Sequence, residues 1–165
     1  LPWLVLALFG GFISVKVLGV FEPMMNSHRM LLFFTPLIAA MAGNVGVQSS
    51  AIVVQGLANN SITGSLWNRL LKELSLSLLN GSILAVILIL GTHFLLGYEF
   101  IIGITVSIAL LSVIVVASLI GTFIPIVLDK YGVDPALATG PFITTSNDIL
   151  GIIIYFSIAR MVLGI

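Results

Sequence analysis

The sequence TTSNDILGIIIYF, residues 144 to 156, sets one carboxylate between a group of small polar residues and a strongly apolar run. Such a run needs a nonpolar environment, and a carboxylate placed there needs water, a cation or a hydrogen-bonding partner. The whole chain is apolar: of its 165 residues, 59% are hydrophobic and 7% are charged, and the mean hydropathy is +1.27. Because soluble domains carry about 25% charged residues, the composition predicts a protein whose solvent is the lipid bilayer.

Charge and cysteine content exclude several classes of function. The formal net charge is zero, with six basic and six acidic residues, so no basic surface for nucleic acid is predicted. Cysteine is absent, which excludes disulfides, thiolate metal sites and cysteine nucleophiles. The chain starts at Leu1 without the basic segment that opens a signal peptide. We therefore expect a piece of a longer or processed protein that enters a transmembrane helix at once.

Prolines, glycines and polar clusters divide the chain into five apolar runs. A membrane-spanning helix needs about 20 mainly apolar residues, and each run approaches or exceeds that length. We predict a single all-α transmembrane domain, residues 1–165, whose five helices extend over about residues 4–20, 30–57, 74–96, 100–128 and 135–162.

The last predicted span has well-defined start signals and carries the carboxylate. Asp134 is a favourable N-cap, and Pro135 fits the first helical position because an N–H there would have no helical partner. With that start, Asp148 would lie roughly 20 Å along the helix. A hydrocarbon core is about 30 Å thick, so the carboxylate is predicted to lie inside the membrane.

Basic residues in the short loops predict the orientation. Arg69, Lys72 and Lys130 fall in loops on one side of the bilayer, whereas the other side offers Arg29 alone. Because cytoplasmic loops carry the excess of Lys and Arg, we expect a multi-pass protein of the cell membrane with a cytoplasmic N-terminus and an external C-terminus. Residues 59–73 are expected to form a cytoplasmic connection that includes a short interfacial helix.

Asp148 is the one acidic residue inside a predicted span. The other five are predicted to lie in loops or at helix ends: Glu22, Glu73, Glu99, Asp129 and Asp134. An intramembrane carboxylate costs at least about 2.5 to 3.5 kcal/mol unless water, a cation or a partner stabilises it. Two interpretations follow. Asp148 is either protonated and hydrogen-bonded to a neighbouring helix, or it forms a cation or proton site in a hydrated pathway.

The spacing of the residues around Asp148 favours the hydrated pathway. Gly140, Thr144, Asp148 and Gly151 are four, four and three residues apart, so they share one face of a helix. Small and hydroxylated residues on that face leave room for water and let a second helix approach closely.

The second predicted span carries a neutral polar stripe. Asn44 and Gln48 are one helical turn apart, and Gln55 follows two turns later. Gly43 and Gly46 are residues that permit close backbone contact between helices. The amides are suitable hydrogen-bond acceptors for the waters of a hard cation. Hydrogen bonding between helices would also explain why amides occur in this span.

Two stretches, PLIAAMAGNVGVQ at 36–48 and GPFITTSNDILG at 140–151, resemble the signatures of the MgtE family of magnesium channels. The family's second transmembrane helix carries P-x-x-x-x-x-G-G-N-x-G-x-Q, and its fifth carries G-P-x-x-T-x-x-x-D-x-x-G. The resemblance covers essentially the whole chain. It implies a homodimer in the lipid bilayer, with a pore lined by the second and fifth helices of each subunit. It also implies a Mg²⁺ site with Asp148 as the main ligand and four matching positions around it: Thr144, Gly151, Asn44 and Gln48.

Three positions depart from the family pattern. Ala42 replaces the first glycine of the second-helix pair, Val47 stands where asparagine is common, and Gln55 stands where many members have an arginine. These differences bear on pore width and cation preference. The family usually adds cytoplasmic regulatory domains with paired CBS modules ahead of the first helix, so we expect an excised channel domain or a shorter member.

The predicted function is that of a channel, not an enzyme, that conducts a largely hydrated divalent cation, with Mg²⁺ favoured, down its electrochemical gradient. Two Asp148 carboxylates at the dimer axis would neutralise one ion, and retained water suits both its entry and its release. Three alternatives remain open at this point. They are an H⁺- or Na⁺-coupled secondary transporter that uses Asp148, an intramembrane aspartyl protease built from two chains, and a purely structural helix bundle.

Overall fold

The computed structural model describes residues 1–62, 65–138 and 140–164, and within these ranges it contains helices and no strand. The predicted all-α class is therefore confirmed. In chain order the helices are α1 (Pro2–Val20), α2 (Glu22–Ser27), α3 (Met30–Ala58), α4 (Leu66–Leu90, continued by a π-helical turn, Gly91–Leu95), α5 (Phe100–Lys130) and α6 (Pro141–Leu163), with a 3₁₀ turn at Pro135–Ala138.

Most of these helices have the length and composition of membrane spans. Four segments are long and apolar enough to cross a bilayer, and the apolar part of α1, Leu4–Val20, is shorter. Four to five helices in the described ranges are thus compatible with the predicted membrane protein. The four longer segments are Met30–Ala58, Leu66–Leu95, Phe100–Lys130 and Pro141–Leu163.

Helix α5 lies at the centre of the bundle. Helices α3, α4 and α6 all pack against it, and α1 packs against α6. Helix α4 has few buried residues and exposes many leucine and isoleucine side chains, as expected of a helix that faces lipid. The buried core joins α3, α5 and α6 through Leu31, Phe34, Ile38, Val106, Leu110, Val113, Tyr155 and Phe156.

Small residues bring three helices together at Gly46 of α3. A Cβ built on Gly46 would overlap the side-chain amide of Asn147 on α6, and one built on Gly121 of α5 would overlap the Gly46 carbonyl oxygen. Helices in lipid associate largely through close van der Waals contact, for which small residues are required. Gly46 and Gly121 therefore set the separation of α3 from its two neighbours.

Helix α4 starts earlier than predicted. The third span was expected from residue 74, after a separate interfacial helix, but α4 begins at Leu66 and continues without a break. Ser65 is its N-cap, and the Ser65 hydroxyl accepts a hydrogen bond from the backbone N–H of Asn68 at 3.3 Å. The expected interfacial helix is therefore the first part of α4, because this cap lets the helix start within the polar connection.

Helix α6 starts later than predicted, so the expected start at Pro135 is wrong. Pro135–Ala138 forms a 3₁₀ turn, in which the Asp134 carboxylate accepts the backbone N–H of Ala136 at 2.9 Å. Asp134 thus caps the short turn instead of the long helix. Gly140, with a φ of +88°, precedes the first residue of α6, Pro141. Such a φ is strained for any residue with a side chain, so glycine suits the position that precedes α6.

The later start changes the position of Asp148 along its helix, but the carboxylate still lies level with the middle of α3. Asp148 is seven residues, about 10 Å, beyond Pro141, instead of the expected 20 Å. Helix α6 runs antiparallel to α3: Ile143 lies beside Gly46, and Asp148 lies beside Gly43. Gly43 is near the middle of α3, so α6 begins part of the way along its neighbour and the carboxylate lies level with the middle of α3.

Candidate functional site

A cavity of about 410 Å³ lies between α3 and α6. We call it the Asp148 cavity, because Asp148 is the only carboxylate among its described lining residues. Most of its wall is small or polar, so open space remains between two closely packed helices. The lining residues are Ala39, Ala40, Gly43, Asn44, Val47, Gln48 and Ala51 of α3, and Thr144 and Asp148 of α6.

Gly43 brings the backbone of α3 close to the carboxylate. A Cβ at this position would lie 3.7 Å from Asp148 Oδ1 and 3.8 Å from Thr144 Cγ2. These are ordinary van der Waals distances, so a methyl group would fit without displacing either side chain. It would, however, cover the carboxylate on the side that faces α3. Glycine thus leaves that side of Asp148 open to a polar ligand.

The polar groups of α6 in the cavity have free acceptor capacity. The Thr144 hydroxyl lies 3.2 Å from both the Gly140 and the Pro141 carbonyl oxygens and donates to this pair. Its own lone pairs remain available to a ligand. Asp148 is half-buried, and no hydrogen bond or ion pair joins its carboxylate to another side chain in the described ranges. Two oxygen-bearing side chains one helical turn apart therefore line the same space.

Four of the five predicted site residues line this cavity together: Asn44, Gln48, Thr144 and Asp148. The fifth, Gly151, faces another part of α3, where a Cβ would lie 3.3 Å from the Cβ of Ala42. Gly151 therefore lies in the helix packing and not in the cavity wall, and its part in a metal site stays a prediction.

Asn147 is a residue whose position the sequence reasoning missed. It is fully buried against Gly46, and neither polar atom of its side-chain amide has a hydrogen-bond partner in the described part of the chain. A buried amide without hydrogen-bond partners is unfavourable. The sequence feature that could have drawn attention to Asn147 is its position next to Asp148 in an apolar helix.

Glu73 was predicted to lie at a helix end or in a loop, and this was wrong. It lies in the third turn of α4, where its Oε1 accepts a hydrogen bond from the Ser49 hydroxyl of α3 at 2.7 Å. Because Ser65 is the N-cap, α4 starts before Glu73 and not after it. The leucines on both sides of Glu73 extend the apolar pattern of the helix towards its N-terminus. A second carboxylate therefore belongs to a segment that is long and apolar enough to span a membrane.

Comparison with known proteins gives one family. Residues 35–158 match the family described as MgtE: Divalent cation transporter. The chain is 39% identical over 160 residues to the magnesium transporter MgtE of Bacillus subtilis, covering 96% of this chain and 35% of the relative. It is 37% identical over 166 residues to the magnesium transporter MgtE of Enterococcus faecalis, covering 98% and 36%. It is 32% identical over 162 residues to the magnesium transporter MgtE of Thermus thermophilus, covering 98% of this chain and 36% of the relative.

These matches cover nearly all of the chain, and the chain spans about a third of the length of the three relatives. The family is one of integral membrane transporters and not of enzymes, in agreement with the apolar helices described above. The resemblance predicted from the two signature stretches is confirmed. The chain belongs to the MgtE family of divalent cation transporters.

Proposed function

We propose that this chain is the ion-conducting membrane domain of a divalent-cation channel, with Mg²⁺ as the main substrate and Asp148 as its principal ligand. One observation carries the proposal. The Asp148 carboxylate faces a cavity together with Thr144, Asn44 and Gln48, and no cationic side chain in the described ranges pairs with it. A carboxylate at this depth needs a charge partner or water, and a passing hydrated cation supplies both.

The size and chemistry of the cavity suit a hydrated ion. Mg²⁺ prefers six oxygen ligands in octahedral geometry and loses its waters reluctantly. Six waters occupy roughly 180 Å³ at about 30 Å³ each, well below the 410 Å³ of the cavity. Carboxylate, amide and hydroxyl oxygens would then accept hydrogen bonds from the waters of the ion. Binding through water is weak enough to permit release.

The exposed face of α3 supports a pore at a homodimer axis. Ala40, Asn44, Gln48 and Ala51 line the cavity and are exposed on the single chain. Primary amides facing lipid would be unfavourable because hydrocarbon offers no hydrogen bonds. A second copy across this face would enclose water, cover the amides and bring a second Asp148 towards the same ion. Two carboxylates would balance the charge of one divalent cation.

The proposal includes a cytoplasmic N-terminus and an external C-terminus. The first two turns of α4, with Arg69 and Lys72, and the end of α5, with Lys130, then lie at the cytoplasmic side, as expected from the excess of positive charge near the cytoplasmic ends of membrane spans. A membrane potential of 100 mV, negative inside, favours entry of a divalent cation by about 4.6 kcal/mol, twice the value for one charge. Inward conduction then needs no other source of energy.

Divalent-cation uptake into liposomes tests the proposal. The protein is reconstituted at a fixed density, and Mg²⁺ uptake is measured under an imposed potassium diffusion potential without a pH or Na⁺ gradient. Asp148→Asn and Asp148→Ala should each lower uptake at least tenfold. The matched control is Glu99→Gln, which makes the same type of change at an exposed carboxylate that forms no helix-capping hydrogen bond.

The same assay separates the alternatives. Wild-type uptake by both Asp148 variants would rule out Asp148 as the principal ligand and favour a structural role for its carboxylate. If the wild-type protein transports only when a pH or Na⁺ gradient is added, the coupled secondary transporter is correct and the channel is not.

A further inference from the structure

A second polar cavity, of about 480 Å³, lies between α3 and α4 over the surface of α5. We call it the Glu73 cavity. It contains a carboxylate, several amides and hydroxyl groups in a region where both flanking helices are otherwise apolar. Its polar wall includes Glu73, Asn80, Asn44, Gln48, Ser49 and Ser118.

Glu73 has a hydrogen-bond partner but no cationic partner in the described part of the chain. The Ser49 hydroxyl donates to Glu73 Oε1 at 2.7 Å, the usual length of a hydrogen bond between a hydroxyl and an oxygen acceptor. Arg69 precedes Glu73 by one turn of α4, yet no ion pair joins the two. Glu73 lies seven residues, about 10 Å, inside a segment long enough to span the membrane. In the proposed orientation Glu73 lies at the cytoplasmic end of this segment, directly after Lys72, where water and cations can reach its carboxylate.

The two cavities share part of their walls. Asn44 and Gln48 line both the Asp148 cavity and the Glu73 cavity. Ser49, which contacts Glu73, is six residues beyond Gly43, which faces Asp148. Glu73 is thus displaced by about 9 Å towards the C-terminal end of α3, where the α3–α4 connection begins. Each shared amide offers both a donor and an acceptor, so either can contact water on both sides.

We propose that Glu73, with Ser49 and Asn80, forms a second site for a hydrated divalent cation, which exchanges ions with the Asp148 cavity past Asn44 and Gln48. The ligands are hard oxygens, which Mg²⁺ prefers, and the volume of the cavity again exceeds the roughly 180 Å³ of six waters. The choice of cation rests on the proposed function, whereas the location rests only on the contacts of Glu73. The site lies between Asp148 and the α3–α4 connection.

Thiol labelling tests this site directly, because the chain contains no cysteine. Ser77 lines the Glu73 cavity one turn after Glu73 and is buried, so Ser77→Cys introduces a single reporter of similar size. The full chain in liposomes is treated with a small cationic thiosulfonate, and the labelling rate is measured with and without Mg²⁺ at a saturating concentration. The samples without Mg²⁺ are matched in ionic strength with Na⁺.

We expect the reporter to be labelled from water and Mg²⁺ to slow labelling at least fivefold. Adding Glu73→Gln, which can still accept the Ser49 hydrogen bond, should remove this protection. Adding Asp148→Asn should leave it in place. Absence of labelling would show a dry cavity and overturn the proposal. Protection that is absent, or that Glu73→Gln leaves unchanged in an otherwise identical protein, would overturn it as well.

A second measurement distinguishes a failure of the proposed Glu73 site from a failure of the proposed role of Asp148. Mg²⁺ uptake by Glu73→Gln should fall several-fold while Asp148 is intact. If Asp148→Asn conducts normally but Mg²⁺ protection still depends on Glu73, the pore assignment fails and the second site stands. If Asp148→Asn abolishes uptake and protection is absent, the second site fails alone.

Discussion

Two glycines on neighbouring turns of α3 should respond differently to the same added methyl group. A Cβ at Gly46 would overlap the Asn147 amide and lie 3.0 Å from Ile143 Cγ2, whereas a Cβ at Gly43 meets nothing closer than 3.7 Å. We therefore expect Gly46→Ala to destabilise the bundle. Gly43→Ala should leave the fold intact and impair ion binding.

The magnitudes follow from these distances. Overpacking a close helix contact costs about 1 to 3 kcal/mol, and the better helix propensity of alanine returns up to about 1 kcal/mol. The overlap with the Asn147 amide is severe, so the cost lies in the upper part of this range, about 2 to 3 kcal/mol. With about 1 kcal/mol returned by alanine, Gly46→Ala should lose about 1 to 2 kcal/mol, which lowers Tm by roughly 2 to 8 °C for a chain of this size. At Gly43 the methyl group would exclude a water from one side of the Asp148 carboxylate. Loss of a hydrogen bond to a charged group costs about 1.5 to 3 kcal/mol, or roughly tenfold or more in apparent affinity.

Both properties can be measured on the same samples. Thermal unfolding in detergent gives Tm, and liposome uptake at several Mg²⁺ concentrations gives the apparent affinity. Gly11→Ala is the matched control, because its Cβ would have no neighbour within 4 Å. Equal stability of Gly46→Ala and Gly43→Ala would refute the close contact at Gly46. Wild-type affinity of a well-folded Gly43→Ala would refute the open approach to Asp148 from α3.

Two further substitutions test the framework around the cavity. Tyr155→Phe removes the hydrogen bond that the buried Tyr155 hydroxyl donates to the Leu31 carbonyl at 2.8 Å, so stability should fall by about 1 kcal/mol with uptake retained; an unchanged Tm would contradict this. Gly140→Ala forces a side chain onto a φ of +88° and should cost about 1 to 3 kcal/mol, measured by the same thermal unfolding. A stable Gly140→Ala would mean that α6 can start without this turn.

Part of the candidate site could be predicted from the sequence because helical periodicity is local. Residues four apart share a face, so Thr144 accompanies Asp148 and Asn44 accompanies Gln48 wherever the helices lie. The two signature stretches then indicate that these faces belong together. The rotation of α6 about its own axis, which decides which of its residues face the cavity, was less predictable than these pairs. The structure therefore places Gly151 in the packing against Ala42, although it was expected at the site.

Helix ends were the least predictable part of the fold. Asp134 and Pro135 form a valid start signal, but the signal serves a 3₁₀ turn, and Gly140, with its positive φ, directly precedes α6. At α4 the opposite happened, since Ser65 caps the helix within a polar stretch that was expected to be a connection. The signal at Asp134 was interpreted correctly in kind and assigned to the wrong element, whereas the cap at Ser65 was not predicted.

The sequence by itself determined that this chain is a helical membrane protein. In hydrocarbon each backbone N–H and C=O must be paired within the protein, and a continuous apolar run of about 20 residues achieves this as a helix. The tertiary structure alone decided which side chains meet across them. The Ser49–Glu73 hydrogen bond joins residues 24 positions apart, and the Tyr155–Leu31 hydrogen bond joins residues 124 apart. Such pairs depend on the register and rotation of packed helices, which contacts at Gly46 and Gly121 set and no local pattern encodes.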